Sequence, residues 1–157
     1  MIIRRFKNED LEEVLQLYYD VIHSVATKYY DEEQVNAWAP KEGMNREKWL
    51  ESLSSNYTYI AEVDSAIIAF GDMTHQGYVD RLFVHKNYQG SGAALRIFRK
   101  LEEDAKKLHL SEMTGEASVI LMPIAQRYGF EVVEKQLKTV RGVQLTNYKM
   151  RKKLLYS

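Results

Sequence analysis

The sequence predicts an α/β fold: one domain over residues 1–157, built on a single mixed, mostly antiparallel sheet of about six to seven strands with about four flanking helices. Three observations support this prediction. β-like and helix-like runs alternate along the whole chain. Several consecutive β-like runs are joined by short turns, which antiparallel strands allow. No repeat, low-complexity stretch or linker divides the 157 residues, a length that suits one domain.

The first third of the chain supplies one strand and three helices. Residues 2–6 (IIRRF) predict a short first strand. Asn8 can cap the helix that follows, whose apolar residues recur at helical spacing as far as Ala26. Two shorter helices are predicted at residues 31–38 and 45–54.

The middle of the chain predicts three strands and the helix with the clearest apolar face. Residues 57–63 and 66–73 read as two strands joined at Asp64-Ser65, a two-residue hairpin signal. Residues 78–84 follow as a third strand. The helix at residues 92–108 then places its apolar side chains on one side, which predicts that it packs on the sheet.

The last third predicts three more strands around one helix. A strand is expected at residues 111–117, and a helix at residues 119–128 ends at Gly129. Residues 130–140 and 144–154 are two final strands. If the final strand lies exposed at the sheet edge, it can pair across a homodimer.

Composition and charge exclude several classes of function. Lys plus Arg and Asp plus Glu are both 22, so the chain lacks the basic excess of a general nucleic-acid or membrane-surface binder. It has no cysteine, which excludes a disulfide framework, a thiol nucleophile and a cysteine metal site. The four histidines lack metal-ligand spacing, so no metal is expected. Neither a signal segment nor a membrane-spanning run is apparent, and a cytoplasmic location is expected.

The stretch from Gly77 to Leu108 carries the main binding signal. It predicts a strand, a glycine-bearing turn and a helix, so that the free N–H groups of the first helical turn point at one spot. Such a place binds phosphate. The glycines do not fit an NTP loop, a dinucleotide loop or the nucleophile elbow of a hydrolase around Ser91. A plain glycine-containing turn without a ligand is the remaining alternative.

Residues 89–94 (QGSGAA) resemble the acetyl-CoA loop of the GNAT superfamily, the Gcn5-related N-acetyltransferases. The flanks agree, because residues 82–88 resemble the strand that precedes this loop, and residues 127–130 (RYGF) resemble a later "GF" signature. A narrower resemblance is to the YafP-type branch. It depends on residues 37–40 (AWAP), 77–80 (GYVD), 116–118 (EAS), 141–143 (RGV) and 145–148 (LTNY).

The resemblance implies a GNAT fold and acetyl-CoA as co-substrate. Backbone N–H groups of the strand would polarise the thioester, and the loop would hold the pyrophosphate of the coenzyme. A hydroxyl at Ser118 falls where many members have an asparagine that contacts the coenzyme. The implied coenzyme-binding residues are Leu82, Phe83, Val84, Gln89, Gly90, Ser91, Gly92, Ala93, Ala94, Leu95 and Ser118.

The resemblance also suggests catalytic residues. Tyr78 falls where some members place a catalytic glutamate, and strand alternation predicts Asp80 and Leu82 on the same face. Asp80 is the candidate base that takes the proton of the amine, with an ion pair to an arginine as the alternative. Ala125 stands where members usually carry a tyrosine that protonates the leaving thiolate. Tyr128, one helical turn further on, is the candidate replacement for this acid.

The acceptor side is predicted near the first helices, where His23, Tyr30 and Trp38 could form a wall for an aromatic or cationic amine. Ordinary packing of these side chains is the alternative. The function implied is acetyl transfer to a primary amine of a small molecule or protein. Two alternatives stay open at this point: a CoA-binding sensor with weak or no catalysis, and a plain α/β domain that binds no coenzyme.

Overall fold

A computed structural model describes residues 1–156 and contains one seven-stranded sheet in the order β1-β2-β3-β4-β5-β7-β6. The strands are β1 (Ile2–Arg5), β2 (Tyr57–Val63), β3 (Ala66–Met73), β4 (Tyr78–Val84), β5 (Glu112–Ser118), β6 (Glu131–Val140) and β7 (Val143–Lys153). The helices are α1 (Leu11–Ser24), α2 (Glu32–Trp38), α3 (Arg46–Ser55), α4 (Ala93–Lys107) and α5 (Leu121–Tyr128). Neighbouring strands are antiparallel except β4 and β5, which confirms the predicted mixed sheet.

Local signals placed most elements correctly, with two shifted helix starts. Asn8 does not cap α1, because a short 3₁₀ turn over residues 8–10 precedes the helix. α5 begins at Leu121 rather than residue 119, since the backbone N–H of Leu121 donates to Ser118 Oγ at 3.2 Å. The hairpin at Asp64-Ser65 is confirmed: both residues have positive φ (51° and 68°), as a two-residue turn of the primed type requires.

Helices cover both faces of the sheet. α4 and α5 pack on one face over a core that includes Phe98 and Leu101 of α4. α1, α2 and α3 pack on the other face, where Ile22, Leu53 and Phe70 are almost fully buried. Among residues 1–156, no helix is both long and apolar enough to cross a membrane.

The final strand does not lie at an edge. β7 pairs with β5 on one side and with β6 on the other, so the predicted pairing of an exposed final strand across a homodimer is wrong. The edge strands are β1 and β6.

The parallel pair β4 and β5 opens a cleft in the sheet. The two strands pair only at Tyr78 with Thr114 and at Val79 with Gly115. Beyond these pairs they diverge, and in the described chain no strand partners residues 82–84 on the β5 side. Backbone groups of β4 are therefore available to a ligand in the cleft.

A β-bulge in β4 changes which side chains face the cleft. Asp72 of β3 lies opposite Arg81, while the next β3 residue, Met73, lies opposite Val79, so Asp80 is an extra residue in β4. Val79 and Leu82 consequently pack on the same core, against α4. The predicted alternation that placed Leu82 on the face of Asp80 is wrong, because the bulge interrupts the period of two.

Candidate active site

The loop between β4 and α4 has the backbone that its glycines predict. Gly90 and Gly92 have φ angles of 77° and 88°, which side-chain-bearing residues rarely adopt. A Cβ added at either glycine would meet no heavy atom within 4 Å. The space above the loop is thus open, and the glycines are required by backbone conformation rather than by crowding within the chain.

Several N–H groups of this loop point to an open anion site. Ser91 N already donates to Tyr88 O at 3.1 Å, and Ala93 N donates to Ser91 Oγ at 3.3 Å. Two of the six N–H groups of residues 90–95 thus already have an acceptor. Those without an acceptor among residues 1–156 belong to Gly90, Gly92, Ala94 and Leu95. They sit at the positive end of the dipole of the 15-residue helix α4.

A hydrogen bond of the Gln89 side chain connects this loop to the end of β4. Its Nε2 donates to the carbonyl oxygen of Val84, the last residue of β4, at 2.6 Å. The side chain therefore fixes the distance between the open N–H groups and the diverging end of β4.

A smaller pocket beside this loop adjoins a larger cavity. The smaller pocket is lined by Val21, Leu82, Phe83, Val84, Gln89, Ser118, Ile120, Leu121 and Ile124. Leu82, Phe83, Ser118 and Leu121 also line the cavity, whose volume is about 300 Å³. Gln89 of the loop and the diverging end of β4 thus border a pocket that shares four lining residues with the cavity.

The cavity has an aromatic wall, as predicted in part. Tyr30 and Trp38 line it, with their ring centroids 5.6 Å apart. Tyr18, Trp49 and Phe83 extend this wall, and sequence reasoning missed Tyr18 and Trp49 because both also belong to apolar helix faces.

The predicted substrate residue His23 does not line the cavity. Its Nε2 lies 2.6 Å from the carbonyl oxygen of Ala39, and its ring stacks on that of Tyr19 with the ring centroids 4.0 Å apart. Closeness in sequence to Trp38 did not bring His23 to the site, because α1 turns this side chain toward the chain segment after α2.

The hydroxyl of Tyr30 joins two walls of the cavity. It donates to Thr146 O of β7 at 2.8 Å and accepts from Val119 N, just after β5, at 3.0 Å. Burial raises the pKa of Tyr30, so the hydroxyl stays protonated and keeps both bonds. The side chain is only 6% exposed, and its main effect is to hold β5 and β7 in place.

Tyr30→Phe is expected to lower the free energy of unfolding by about 1–3 kcal/mol, because the N–H of Val119 and the carbonyl of Thr146 lose their shared partner. Urea denaturation would measure this loss. Tyr29→Phe is the matched control, since Tyr29 is 57% exposed and precedes Tyr30 directly. Equal stability of both variants would show that the hydroxyl does not join the walls.

Asp80 lies in the bulge and faces the cavity. Its carboxylate is 43% exposed and lies 3.3 Å from Arg81 Nη2, so the ion pair considered from the sequence does exist. The main partner of Arg81 is a different acid, the fully buried Asp72, at 2.7 Å. Asp80 therefore retains a partly open carboxylate in the cavity, which can accept a proton or hold an amine.

Tyr78 also lines the cavity, and its environment decides which form of the hydroxyl is present. Burial, with the nearby carboxylates of Glu116 and Asp80, raises the pKa of Tyr78 to about 12. The phenol is thus protonated near neutral pH and can donate a hydrogen bond, but it cannot act as a base there.

Residues 26–152 match the family model of the acetyltransferase (GNAT) domain. The chain belongs to the GNAT family. The chain is also 28% identical over 151 residues to the uncharacterized N-acetyltransferase YafP of Escherichia coli K12, covering 96% of this chain and 95% of the relative. Both findings confirm the GNAT resemblance and its YafP-type branch, and they identify the chain as an acyltransferase.

Solved structures agree with the GNAT fold. A GCN5-related N-acetyltransferase ("Aminotransferase, Class-II") of Rhodopseudomonas palustris has a TM-score of 0.91 and 24% identity over 98% of this chain and 95% of its own. The PaiA N-acetyltransferase of Thermoplasma acidophilum, solved with coenzyme A, has a TM-score of 0.80 and 20% identity over 98% of both chains. YncA of Salmonella typhimurium, solved with acetyl-CoA, has a TM-score of 0.72 and 15% identity over 100% of this chain and 95% of its own.

Tyr128 of this GNAT domain does not reach the cavity. Its ring stacks on Phe98 with centroids 5.2 Å apart, and Lys152 Nζ lies 5.3 Å from the ring centroid. Burial and the nearby Glu102 raise the pKa of Tyr128. Ala125, at the position of the usual tyrosine, is buried in the core. The placement of Tyr128 thus matches the packing alternative rather than an acid beside the cleft.

Glu116 and two partners form the far wall of the cavity, and sequence reasoning gave them no role. Lys138 Nζ lies 3.0 Å from Glu116 Oε2, and Asn147 Nδ2 donates to the same oxygen at 3.3 Å. Although burial raises the pKa of Glu116, these two partners bring it below its usual value. Strand alternation from Ser118 could have found Glu116, but Lys138 and Asn147 come from the C-terminal hairpin, whose register the sequence left open.

Proposed function

We propose that this GNAT domain transfers the acetyl group of acetyl-CoA to a primary amine of a small molecule or protein, by direct attack while both substrates are bound. The observation that carries the proposal is the arrangement of the site: Gln89, beside the open N–H groups at α4, borders a pocket that shares Leu82, Phe83, Ser118 and Leu121 with the cavity that holds Asp80. A sensor without catalysis receives no support from the family assignment. A homodimer and a cytoplasmic location stay predictions.

The coenzyme side of the proposal fits the residues present. The open N–H groups of Gly90, Gly92, Ala94 and Leu95 would hold the pyrophosphate at the helix start. Gln89 and Ser91 would act by holding the loop, and Ala93 keeps the first turn small. The acyl arm would lie in the smaller pocket beside Ser118, where the backbone of Leu82, Phe83 and Val84 has no β5 partner. Two structural neighbours, PaiA and YncA, were solved with coenzyme A and acetyl-CoA.

The chain contributes three kinds of group to the transfer itself. Free N–H groups on the β5 side of β4 would polarise the thioester carbonyl. Asp80 would take the proton of the acceptor amine, while the protonated hydroxyl of Tyr78 orients that amine. The new N–C bond forms as the C–S bond breaks, and the released thiolate takes a proton from solvent, since Tyr128 packs away from the cavity.

A panel of amines with detection of released thiol tests the proposed function. We expect at least one primary amine to give thiol release above the rate of acetyl-CoA hydrolysis. Acetyl-CoA at 100 times its dissociation constant should add about 2.7 kcal/mol to the free energy of unfolding. Binding of acetyl-CoA without thiol release for any amine would contradict the transferase and favour the sensor.

Asp80→Asn is expected to lower kcat by about 10²-fold or more while the dissociation constant for acetyl-CoA stays unchanged, because the carboxylate serves the amine and not the coenzyme. Thiol release and the melting shift with acetyl-CoA measure the two effects separately. Asp20→Asn, a change on the outer surface of α1, is the control. An unchanged kcat for Asp80→Asn would remove Asp80 from the mechanism.

A further inference from the structure

The cavity contains an arginine that the proposed transfer does not use. Three hydrogen bonds fix the side chain of Arg81. Nε and Nη2 donate to the buried carboxylate of Asp72 at 3.2 and 2.7 Å, and Nη2 also donates to Ser52 Oγ at 2.7 Å. The guanidinium lies over the ring of Trp49, 4.6 Å from its centroid. The side chain is only 12% exposed, so its position is set before any ligand binds.

One nitrogen of this guanidinium remains open. In the described part of the chain Nη1 of Arg81 donates no hydrogen bond, although Arg81 lines the cavity. A fixed arginine with free N–H groups in a partly buried site is suited to a planar oxyanion, and a carboxylate is the commonest one on small amines. The neighbouring hydroxyl of Tyr18 already donates to Trp38 O at 3.3 Å, so its hydrogen is not free for a ligand.

The acid that receives the amine is directly beside this arginine. Asp80 Oδ2 lies 3.3 Å from Arg81 Nη2, so a site for an ammonium group and a site for a carboxylate are adjacent. A ligand that carries both groups on the same carbon can satisfy both residues. A long chain between the two groups would carry one of them away from its partner.

The far wall argues against a second ammonium group on the ligand. Glu116 is already paired with Lys138 at 3.0 Å and accepts from Asn147. The charges of this wall therefore compensate each other. The cavity lining also includes the apolar or aromatic side chains of Tyr30, Trp38, Val140 and Leu145, which suit an apolar side chain of the ligand.

We infer that the acceptor is an α-amino acid with a large apolar or aromatic side chain, whose free carboxylate is bound by Arg81 Nη1 while its amine lies at Asp80. This inference depends on the proposed function and names the substrate class of the same site. Asp72 has a positioning role, since it holds Arg81 in the orientation that leaves Nη1 open.

Three acceptors that differ only at the carboxylate test the inference on the unmodified chain: phenylalanine, phenylalaninamide and phenethylamine. We expect kcat/KM to be on the order of 10- to 100-fold higher for phenylalanine than for either analogue, as for loss of a charged hydrogen bond. The amine of phenylalaninamide is less basic than that of phenylalanine, so a larger fraction of it is neutral and able to attack. This difference alone would raise kcat/KM for the amide. A preference for the free acid would therefore come from recognition of the carboxylate.

Arg81→Lys adds a second readout, because lysine keeps the charge but loses the planar donors. The ratio of kcat/KM for phenylalanine to that for phenylalaninamide should fall toward one. Arg4→Lys is the matched control, because Arg4 also donates to a carboxylate, that of Asp10 at 2.8 and 2.9 Å, but does not line the cavity. In this control the ratio should stay as in the unmodified chain. If Arg81→Lys does not fold, the three acceptors still decide.

The outcomes separate the two claims. Thiol release at equal rates with acid and amide, or a preference for putrescine or a peptide amine, would overturn the amino-acid inference and leave the transferase intact. Absence of thiol release with every amine would overturn the proposed function, and the inference with it.

Discussion

Gly92→Glu is expected to abolish the binding of acetyl-CoA, with a rise in its dissociation constant of more than roughly 100-fold. Gly92 has φ of 88° and directly precedes the first residue of α4. Its N–H has no acceptor among residues 1–156 and is one of the four open donors. A Cβ there meets no heavy atom of the chain within 4 Å, and the added carboxylate would occupy the space left for phosphate. It would also place negative charge at the positive end of the α4 dipole, where it competes with the ligand.

The measurement is the melting shift that millimolar acetyl-CoA produces, which should be lost in Gly92→Glu. Gly43→Glu is a matched control: Gly43 has φ of 92° and open space around its Cβ position, but it lies in the turn between α2 and α3. Gly92→Ala separates backbone strain from charge, since alanine strains the same backbone without a carboxylate. A full acetyl-CoA shift in Gly92→Glu would mean that the phosphate binds elsewhere.

The sequence predicted the parts of this fold and site that depend on neighbours along the chain. The hairpin at Asp64-Ser65 and the loop at Gly90 and Gly92 follow from which residues tolerate positive φ, a local property. The helix at α4 follows from its apolar spacing in the same way. The loop of residues 89–94 is one continuous segment, so its backbone could be predicted from the sequence, while its binding of the coenzyme stays a prediction.

The acceptor side depends on contacts between distant segments, and there prediction failed more often. The extra residue at Asp80 is visible only in the register of β4 against β3, and a single strand read alone gives strict alternation. Sequence reasoning gave Arg81 no role, because its partner Asp72 is on another strand and belongs to an apolar run. Asp72 is fully buried and the Arg81 side chain is 12% exposed, and Arg81 also donates to Ser52 of α3. Neither the pair nor its cavity follows from local patterns.

Asp72→Asn is expected to lower the free energy of unfolding by about 3–5 kcal/mol, as for loss of one partner from a buried ion pair. Asp72 is fully buried and accepts from Arg81 and from Asn56 Nδ2, the latter at 3.0 Å. Burial raises the pKa of Asp72, and these partners oppose the rise by stabilising the ionised form. Asparagine preserves the shape but removes the buried carboxylate that is the main partner of Arg81. For a chain of this length the loss corresponds to a drop in Tm of roughly 6–20 °C.

Thermal unfolding of Asp72→Asn and of Glu131→Gln would test this assignment. Glu131 contacts Arg151 at 2.6 Å, but both side chains are well exposed, so Tm should stay unchanged when this pair is broken. Asp72→Asn should also reduce the preference for free amino acids over their amides, because Arg81 can then turn toward Asp80, 3.3 Å away, and no longer holds Nη1 in place. An unchanged Tm would show that the Asp72–Arg81 pair does not stabilise the fold. A lower Tm with an unchanged preference would show that Asp72 supports the sheet but not the position of Arg81.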